Sequence, residues 1–208
     1  MELKKVIDFN MDQNCYVLKS GEYTVVIDPG SNKILSEVDK ADVILLTHSH
    51  YDHTSAVLKL KEKTGAMVVA GKYCVENLKE PSKNVSLMFG ETFSADCVDK
   101  VLSDGEVLKI GDMEIKCMET PGHTSCSVCY LIDDNLFSGD TLFLRTTGRW
   151  DLPTGDFKVL ENSIKNKIYT LDENIKVYPG HGNETSVGYE KKFNMVIEGR
   201  NKSEEELN

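Results

Sequence analysis

The sequence has no apolar run long enough to span a bilayer, and its opening residues, MELKKVIDFN, carry two lysines with no apolar stretch behind them. The expectation is a chain with no secretory leader and no membrane segment, located in the cytoplasm. Excess positive charge is missing too. Asp and Glu number 34 against 24 Lys and Arg, for a net charge of −10. Nucleic acid and anionic membrane surfaces both demand an electropositive footprint, so neither is an expected partner. A small anionic substrate met by one or two local basic residues stays compatible with this balance. There is no internal repeat, no low-complexity linker and no sequence signal for an oligomeric state. Cys126-Ser127-Val128-Cys129 has no second CxxC to complete a zinc site. Its cysteines sit at the start of an apolar strand, where residues three apart point to opposite faces. All six cysteines are expected to be reduced thiols in a cytoplasmic setting.

What is present is enough for a conventional core. Hydrophobic residues make up 40% of 208, which suits one domain over residues 1–208 with a charged tail from about residue 198. Val6–Phe9, Cys15–Leu18 and Tyr23–Ile27 read as short strands, the last stopping at the turn tripeptide Asp28-Pro29-Gly30. The uninterrupted run Asp42–Leu46 predicts a strand buried on both faces. Ser55–Lys63 predicts an amphipathic helix that Asp52 or Thr54 could cap. Met67–Ala70 reads as a strand and Lys72–Lys79 as a short helix. Residues 80–103 read as irregular, with a helical piece near Ser94–Leu102. Two hairpins follow, Glu106–Ile110 with Met113–Met118 and Val128–Ile132 with Asn135–Phe137. Phe157–Tyr169 predicts a helix and Lys176–Tyr178 a final strand. This order suits two sheets packed as a sandwich with helices outside.

All five histidines fall in three short motifs. They are His48, His50 and His53 in Thr47-His48-Ser49-His50-Tyr51-Asp52-His53, His123 in Pro121-Gly122-His123-Thr124, and His181 in Pro179-Gly180-His181-Gly182. Histidine used for packing or for the surface would be scattered. Neutral imidazole is the commonest protein ligand for a transition metal, so each of the five reads as a ligand. Five imidazoles exceed what one four-coordinate catalytic site uses, which points to two metals. His48 and His50 are two apart, so extended backbone puts both side chains on one face. Asp52 and His53 follow where the chain turns into a helix and reach elsewhere, toward a second ion. Asp140, in Ser138-Gly139-Asp140-Thr141, would by itself read as an Asx-turn or a helix cap. Beside the histidines it reads better as a bridging carboxylate. Each motif lies just after an apolar strand, on a loop held by a rigid core.

The order HxHxDH, a lone His in PGHT, SGDTLF, then PGHG resembles the metallo-β-lactamase superfamily, over about Val25 to Tyr189. The resemblance implies an α/β fold, a four-layer αββα sandwich. It implies that His48, His50 and His123 hold one metal and that Asp52, His53 and His181 hold another, with Asp140 between them. The implied cofactors are two divalent metal ions, zinc ahead of iron or manganese. Asp140 in its SGD setting sets the chain apart from true β-lactamases, and His50 sets it apart from flavodiiron proteins. Thr147–Asp156 is similar to the GRxDxPxGD loop of glyoxalase II-like hydrolases, as are Pro179–Thr185 and Gly188-Tyr189-Glu190. Full-length glyoxalase II carries a helical C-terminal region that grips glutathione, whereas only about twenty residues, charged and tail-like, follow Glu190 here. In this loop Arg149 reads equally well as a surface partner of Asp151 and as a cation that meets a substrate carboxylate.

The implied activity is hydrolysis of a thioester such as S-lactoylglutathione by a hydroxide bridging two metals, with Asp52 both binding metal and orienting the hydroxide. A second class of reading is a mononuclear-iron persulfide dioxygenase, which shares the fold and most of the ligands. A third is a lactone or phosphoester hydrolase on the same site. A metal-binding regulator without turnover is the fourth.

Overall fold

The computed structural model describes residues 1–8 and 11–198. The first half alternates strands and short helices. It runs β1 (Glu2–Asp8), β2 (Gln13–Ser20), β3 (Tyr23–Ile27), α1 (Ile34–Glu37), β4 (Val43–Leu46), α2 (Tyr51–Thr54), α3 (Val57–Thr64), β5 (Met67–Gly71), α4 (Cys74–Lys79) and β6 (Lys100–Leu102). A single 3-10 turn, Ser86–Phe89, precedes β6. The second half supplies β7 (Val107–Ile110), β8 (Met113–Glu119), β9 (Val128–Ile132), β10 (Asn135–Gly139), β11 (Leu142–Phe143), β12 (Thr146–Thr147), α5 (Phe157–Asn166), β13 (Lys176–Pro179), β14 (Thr185–Ser186) and α6 (Val187–Phe193).

Two six-stranded sheets form, in the orders β1-β2-β3-β4-β5-β6 and β14-β13-β10-β9-β8-β7. Within the first, β3, β4, β5 and β6 run parallel. Within the second, β10 and β13 run parallel and the β8–β9–β10 neighbours are antiparallel. The period-two alternation of side chains sorts each central strand into two layers. In β4, Val43 and Leu45 face the space between the sheets, while Ile44 and Leu46 face outward to α1, α3 and α4. In β9, Val128, Tyr130 and Ile132 face the inter-sheet core, and Cys129 faces the layer of α5 and α6. Four layers result, an αββα sandwich with three apolar interfaces. Tyr130 and Phe137 are the largest fully buried side chains, and burial of each stabilises the inter-sheet layer by roughly 1.5–3 kcal/mol.

Cys126 and Cys129 fall in different apolar layers, Cys126 before β9 in the outer layer of the first sheet and Cys129 in the α5 and α6 layer, and both are free thiols. Several element boundaries differ from the sequence expectation. Strand β1 begins at Glu2 because β2 templates it through a seven-residue antiparallel register; Phe9 lies outside the described residues. The charged tail lies outside them as well, beyond Glu198. The helix expected near Ser94–Leu102 is instead an irregular stretch ending in β6. Asp99 overrides helical propensity there. Its N–H donates to Val68 O (2.8 Å), its Oδ2 accepts from Val68 N (2.8 Å) and Lys61 Nζ meets both its oxygens (2.7 Å). That clamp delivers β6 to the edge of β5. The helix expected from Ser55 is broken into α2 and α3, and neither Asp52 nor Thr54 caps it: no side-chain cap exists at either N-terminus. Thr54 Oγ1 donates back to His50 O (2.9 Å), and Asp52 is turned toward the histidines.

Candidate metal centre

The ligand-type residues sit just beyond the C-terminal ends of β4, β8, β10 and β13, at one rim of the sandwich. His48 and His50 follow β4, with Asp52 and His53 in the first turn of α2. His123 follows β8, Asp140 follows β10 directly, and His181 follows β13. All seven residues named by the sequence reading converge. His48, His50 and His123 offer ligand atoms within 4.8 Å of one another, and so do Asp52, His53 and His181. Across the first triad, His123 Nε2 lies 3.0 Å from His50 Nδ1. Across the second, His181 Nε2 lies 3.2 Å from both His53 Nε2 and Asp52 Oδ2. Asp140 stands between the two. Its Oδ2 is 3.5 Å from His123 Nε2 and 3.6 Å from His181 Nε2, and its Oδ1 is 3.3 Å from His53 Nε2.

The other ring nitrogens are anchored, which fixes the tautomers. A carbonyl oxygen can only accept, so His123 Nδ1 donates to Arg149 O (2.6 Å) and His181 Nδ1 donates to Asp12 O (2.8 Å). His53 Nδ1 donates to the Asp28 carboxylate (2.9 Å). Thr47 Oγ1 gives its proton to Asp28 Oδ2 (2.6 Å) and therefore accepts from His48 Nδ1 (3.0 Å). With Nδ1 donating, the neutral forms of His48, His53, His123 and His181 present a lone pair at Nε2. Metal-ligating histidines characteristically donate their second N–H to a carboxylate or carbonyl in this way. His48 Nε2, His50 Nε2 and Asp140 Oδ1 are buried with no hydrogen-bond partner, which a folded protein tolerates poorly unless another group satisfies the cluster. This set of imidazoles and carboxylates fits a metal. A Cβ on Gly180 would run into Asp140 Oδ1 and His53 Cε1, so only glycine lets β13 pass this close.

The electrostatics divide the site. Burial drives the His48, His50 and His123 pKa values down, that of His50 to about 3, so these imidazoles are neutral. Burial opposes protonation of His53 and His181 too, but Asp140 and Asp52 outweigh it and raise both. Burial would raise the Asp140 carboxyl, yet His53 and His181 hold it well below the usual range. Three carboxylates packed among imidazoles, Asp28, Asp52 and Asp140, give a neutral-to-anionic cluster suited to a dication.

A cavity of about 510 Å³ opens onto this cluster, reaching His50, Asp52, His123, Asp140 and His181 at its floor. Arg149 lines it, and the surface pairing with Asp151 that the sequence suggested is present. Its guanidinium makes a bidentate pair with Asp151, Nε to Oδ1 at 2.7 Å and Nη2 to Oδ2 at 2.8 Å, and the pair is solvent-exposed. Asp28 is the residue the sequence reading missed, having been taken only as part of a turn. Its adjacency to the histidines depends on β3 lying parallel to β4, with Ile27 opposite Leu45, and no local pattern shows that pairing.

The fold and the centre define a metal-dependent hydrolase of the αββα type. The family model of the metallo-beta-lactamase superfamily matches residues 10–181, and the chain belongs to that superfamily. It is similar to the hydroxyacylglutathione hydrolase GloC of Haemophilus influenzae, at 30% identity over 201 residues that cover 90% of this chain and 94% of that one. Among solved structures it is similar to the B3 metallo-beta-lactamase BLEG-1, with a TM-score of 0.87 and 32% identity over 94% of this chain and 99% of that one. It is also similar to TTHA1623 in a di-iron-bound form, with a TM-score of 0.79 and 30% identity over 92% and 98% of the two chains. No helix among the described residues is long and apolar enough to cross a membrane.

Proposed function

We propose that the chain is a dinuclear metal-dependent hydrolase of thioesters, of which S-lactoylglutathione is the first to test. The observation that carries the reading is Asp140 Oδ2 standing within 3.6 Å of a histidine from each of two separate triads. His48, His50 and His123 would hold one dication, Asp52, His53 and His181 the other, and Asp140 would be shared. Zinc is the first candidate, with iron or manganese as alternatives. The similarity to GloC, named for hydroxyacylglutathione hydrolysis, supports the thioester class. When bound, the metals would supply a water acidic enough to ionise near pH 7 and a Lewis acid for the carbonyl oxygen.

The rest is done by the chain. Asp52 faces the cavity with Oδ2 held at 3.2 Å from His181, placing a carboxylate to orient the attacking water. The reaction forms one C–O bond at the acyl carbon and breaks its C–S bond, giving a carboxylic acid and a thiol. A thiol of pKa about 8.5 leaves as thiolate with little protonation, so no dedicated general acid is required. The apolar side of the cavity, formed by Val85, Met88, Phe89, Phe143 and Leu152, limits water around the acyl group. The test is thiol release from S-lactoylglutathione by the metal-loaded protein, abolished by a chelator. Against the expectation drawn from Asp140, similarity to BLEG-1 favours one second reading, β-lactam hydrolysis at the same centre, and a nitrocefin assay on the same sample measures it.

A further inference from the structure

The turn between α4 and β6 exposes three consecutive apolar side chains. Leu87, Met88 and Phe89 are 56%, 64% and 46% exposed. Adjacent exposed apolar side chains are a candidate binding surface. The turn is held firmly. Val85, a β-branched residue, sits at φ +56°, in the left-handed region that such residues avoid. Fully buried Asn84 pins it, accepting from Ser86 N at 3.0 Å and donating to Leu78 O (3.0 Å) and Phe93 O (2.8 Å). Asn84 O also accepts from Tyr51 N at 2.8 Å, between His50 and Asp52 in the chain, so the turn is registered directly to the metal centre. Phe89 packs on Tyr51 with ring centroids 5.6 Å apart.

Met88 and Phe89 point into the cavity that ends at the metal centre, joined there by Val85, Phe143 and Leu152, whereas Leu87 does not line it. Phe143 lies 6.0 Å from the His181 ring, so the apolar wall reaches the reaction centre itself. The one cationic side chain lining the cavity among the described residues, Arg149, is engaged by Asp151. The polar part of the lining is the metal centre and Arg149, so the apolar wall is the surface left to meet the acyl group, and it favours an apolar one.

We infer that Val85, Met88, Phe89, Phe143 and Leu152 form an acyl-binding wall and that the preferred substrates carry an apolar acyl group, medium-chain or aromatic, next to the scissile bond. This rests on the thioester reading for the bond and adds the acyl class. A buried methylene contributes about 0.8 kcal/mol, close to fourfold, and on a half-open wall about half of that free energy, roughly twofold, is expected.

The experiment uses the metal-loaded full chain and acetyl, lactoyl, butyryl, hexanoyl and benzoyl thioesters of N-acetylcysteamine, a neutral carrier. From acetyl to hexanoyl, kcat/KM is expected to rise about tenfold or more, at the roughly twofold per methylene given above. In the Met88→Ser/Phe89→Ser double variant the rise falls below threefold, while Leu87→Ser, on the same turn but outside the cavity, keeps the wild-type slope. A flat series in the wild type, or an unchanged slope in the double variant, overturns the inference while leaving thioester hydrolysis intact. S-alkyl N-acetylcysteamine thioethers, which cannot be cleaved, separate the two readings. If no thioester turns over, yet thioether binding strengthens with chain length in the wild type and not in the double variant, the acyl wall stands and the thioester reading falls. Absence of chain-length dependence in binding as well as turnover overturns the wall.

Discussion

Asp28 Oδ2 lies 2.9 Å from His53 Nδ1 and 2.6 Å from Thr47 Oγ1, whose own oxygen meets His48 Nδ1 at 3.0 Å. One buried carboxylate therefore orients a histidine of each triad, His53 directly and His48 through Thr47. Outer partners of this kind set ring orientation and basicity, and their loss typically costs roughly one to two orders of magnitude in metal affinity or activity. Asp28→Asn should leave a folded protein with metal affinity and activity both down by about that factor. Asp28→Ala should be worse, because it also strands the Thr47 N–H that donates to Asp28 Oδ1 at 2.8 Å, at about 1–3 kcal/mol of stability. Metal titration and a thermal melt on both variants check this; full metal affinity in Asp28→Asn removes the anchoring role.

Asp140→Asn tests the shared carboxylate. The amide keeps the shape but replaces one acceptor oxygen with a donor and removes the charge that His53 and His181 face. The variant is expected to fold, to hold less metal than wild type and to lose nearly all hydrolytic activity. Elemental analysis beside turnover decides; two equivalents of metal with full activity would remove Asp140 from the ligand set.

Gly180→Ala should fail for a reason of space. The added methyl overlaps Asp140 Oδ1 and His53 Cε1, pushing apart groups that approach to 3.3 Å. A displacement on the order of 1 Å at a catalytic centre costs about a hundredfold in rate. Activity should fall by that order with metal content reduced. A Gly180→Ala protein of wild-type activity would show that the centre adapts freely.

Arg149 and Asp151 make an exposed pair, and such pairs contribute about 0–1 kcal/mol. Breaking it with Asp151→Asn should barely move the melting temperature. It should free the guanidinium for substrate, lowering KM for carboxylate-bearing S-lactoylglutathione several-fold and leaving KM for a neutral-carrier thioester unchanged. Equal effects on both substrates would show that Arg149 meets no carboxylate.

Much of this centre was legible in the sequence because all five histidines fall in three short motifs, with Asp52 and Asp140 in the same kind of setting. His48, His50, Asp52, His53, His123, Asp140 and His181 were all named from spacing and resemblance, and all seven meet. The strands were legible where apolar runs end at turn residues, as in Tyr23–Ile27 and Val43–Leu46. What was hidden depends on contacts distant in sequence. Asp28 looks like a turn residue until β3 is laid beside β4. The stretch before β6 looked helical until Asp99 paired with Val68 and Lys61. The apolar turn at Met88–Phe89 lies in a segment with no periodicity to mark it, and only the fold shows that it opens onto the metal centre.

The central claim is a shared two-metal centre that cleaves thioesters, and elemental analysis of the purified chain with thioester turnover measured on the same sample tests it most directly. The account predicts near two equivalents of metal per chain and thiol release that a chelator abolishes. One equivalent of iron, with oxygen uptake on a persulfide and no thiol release from any thioester, would contradict it.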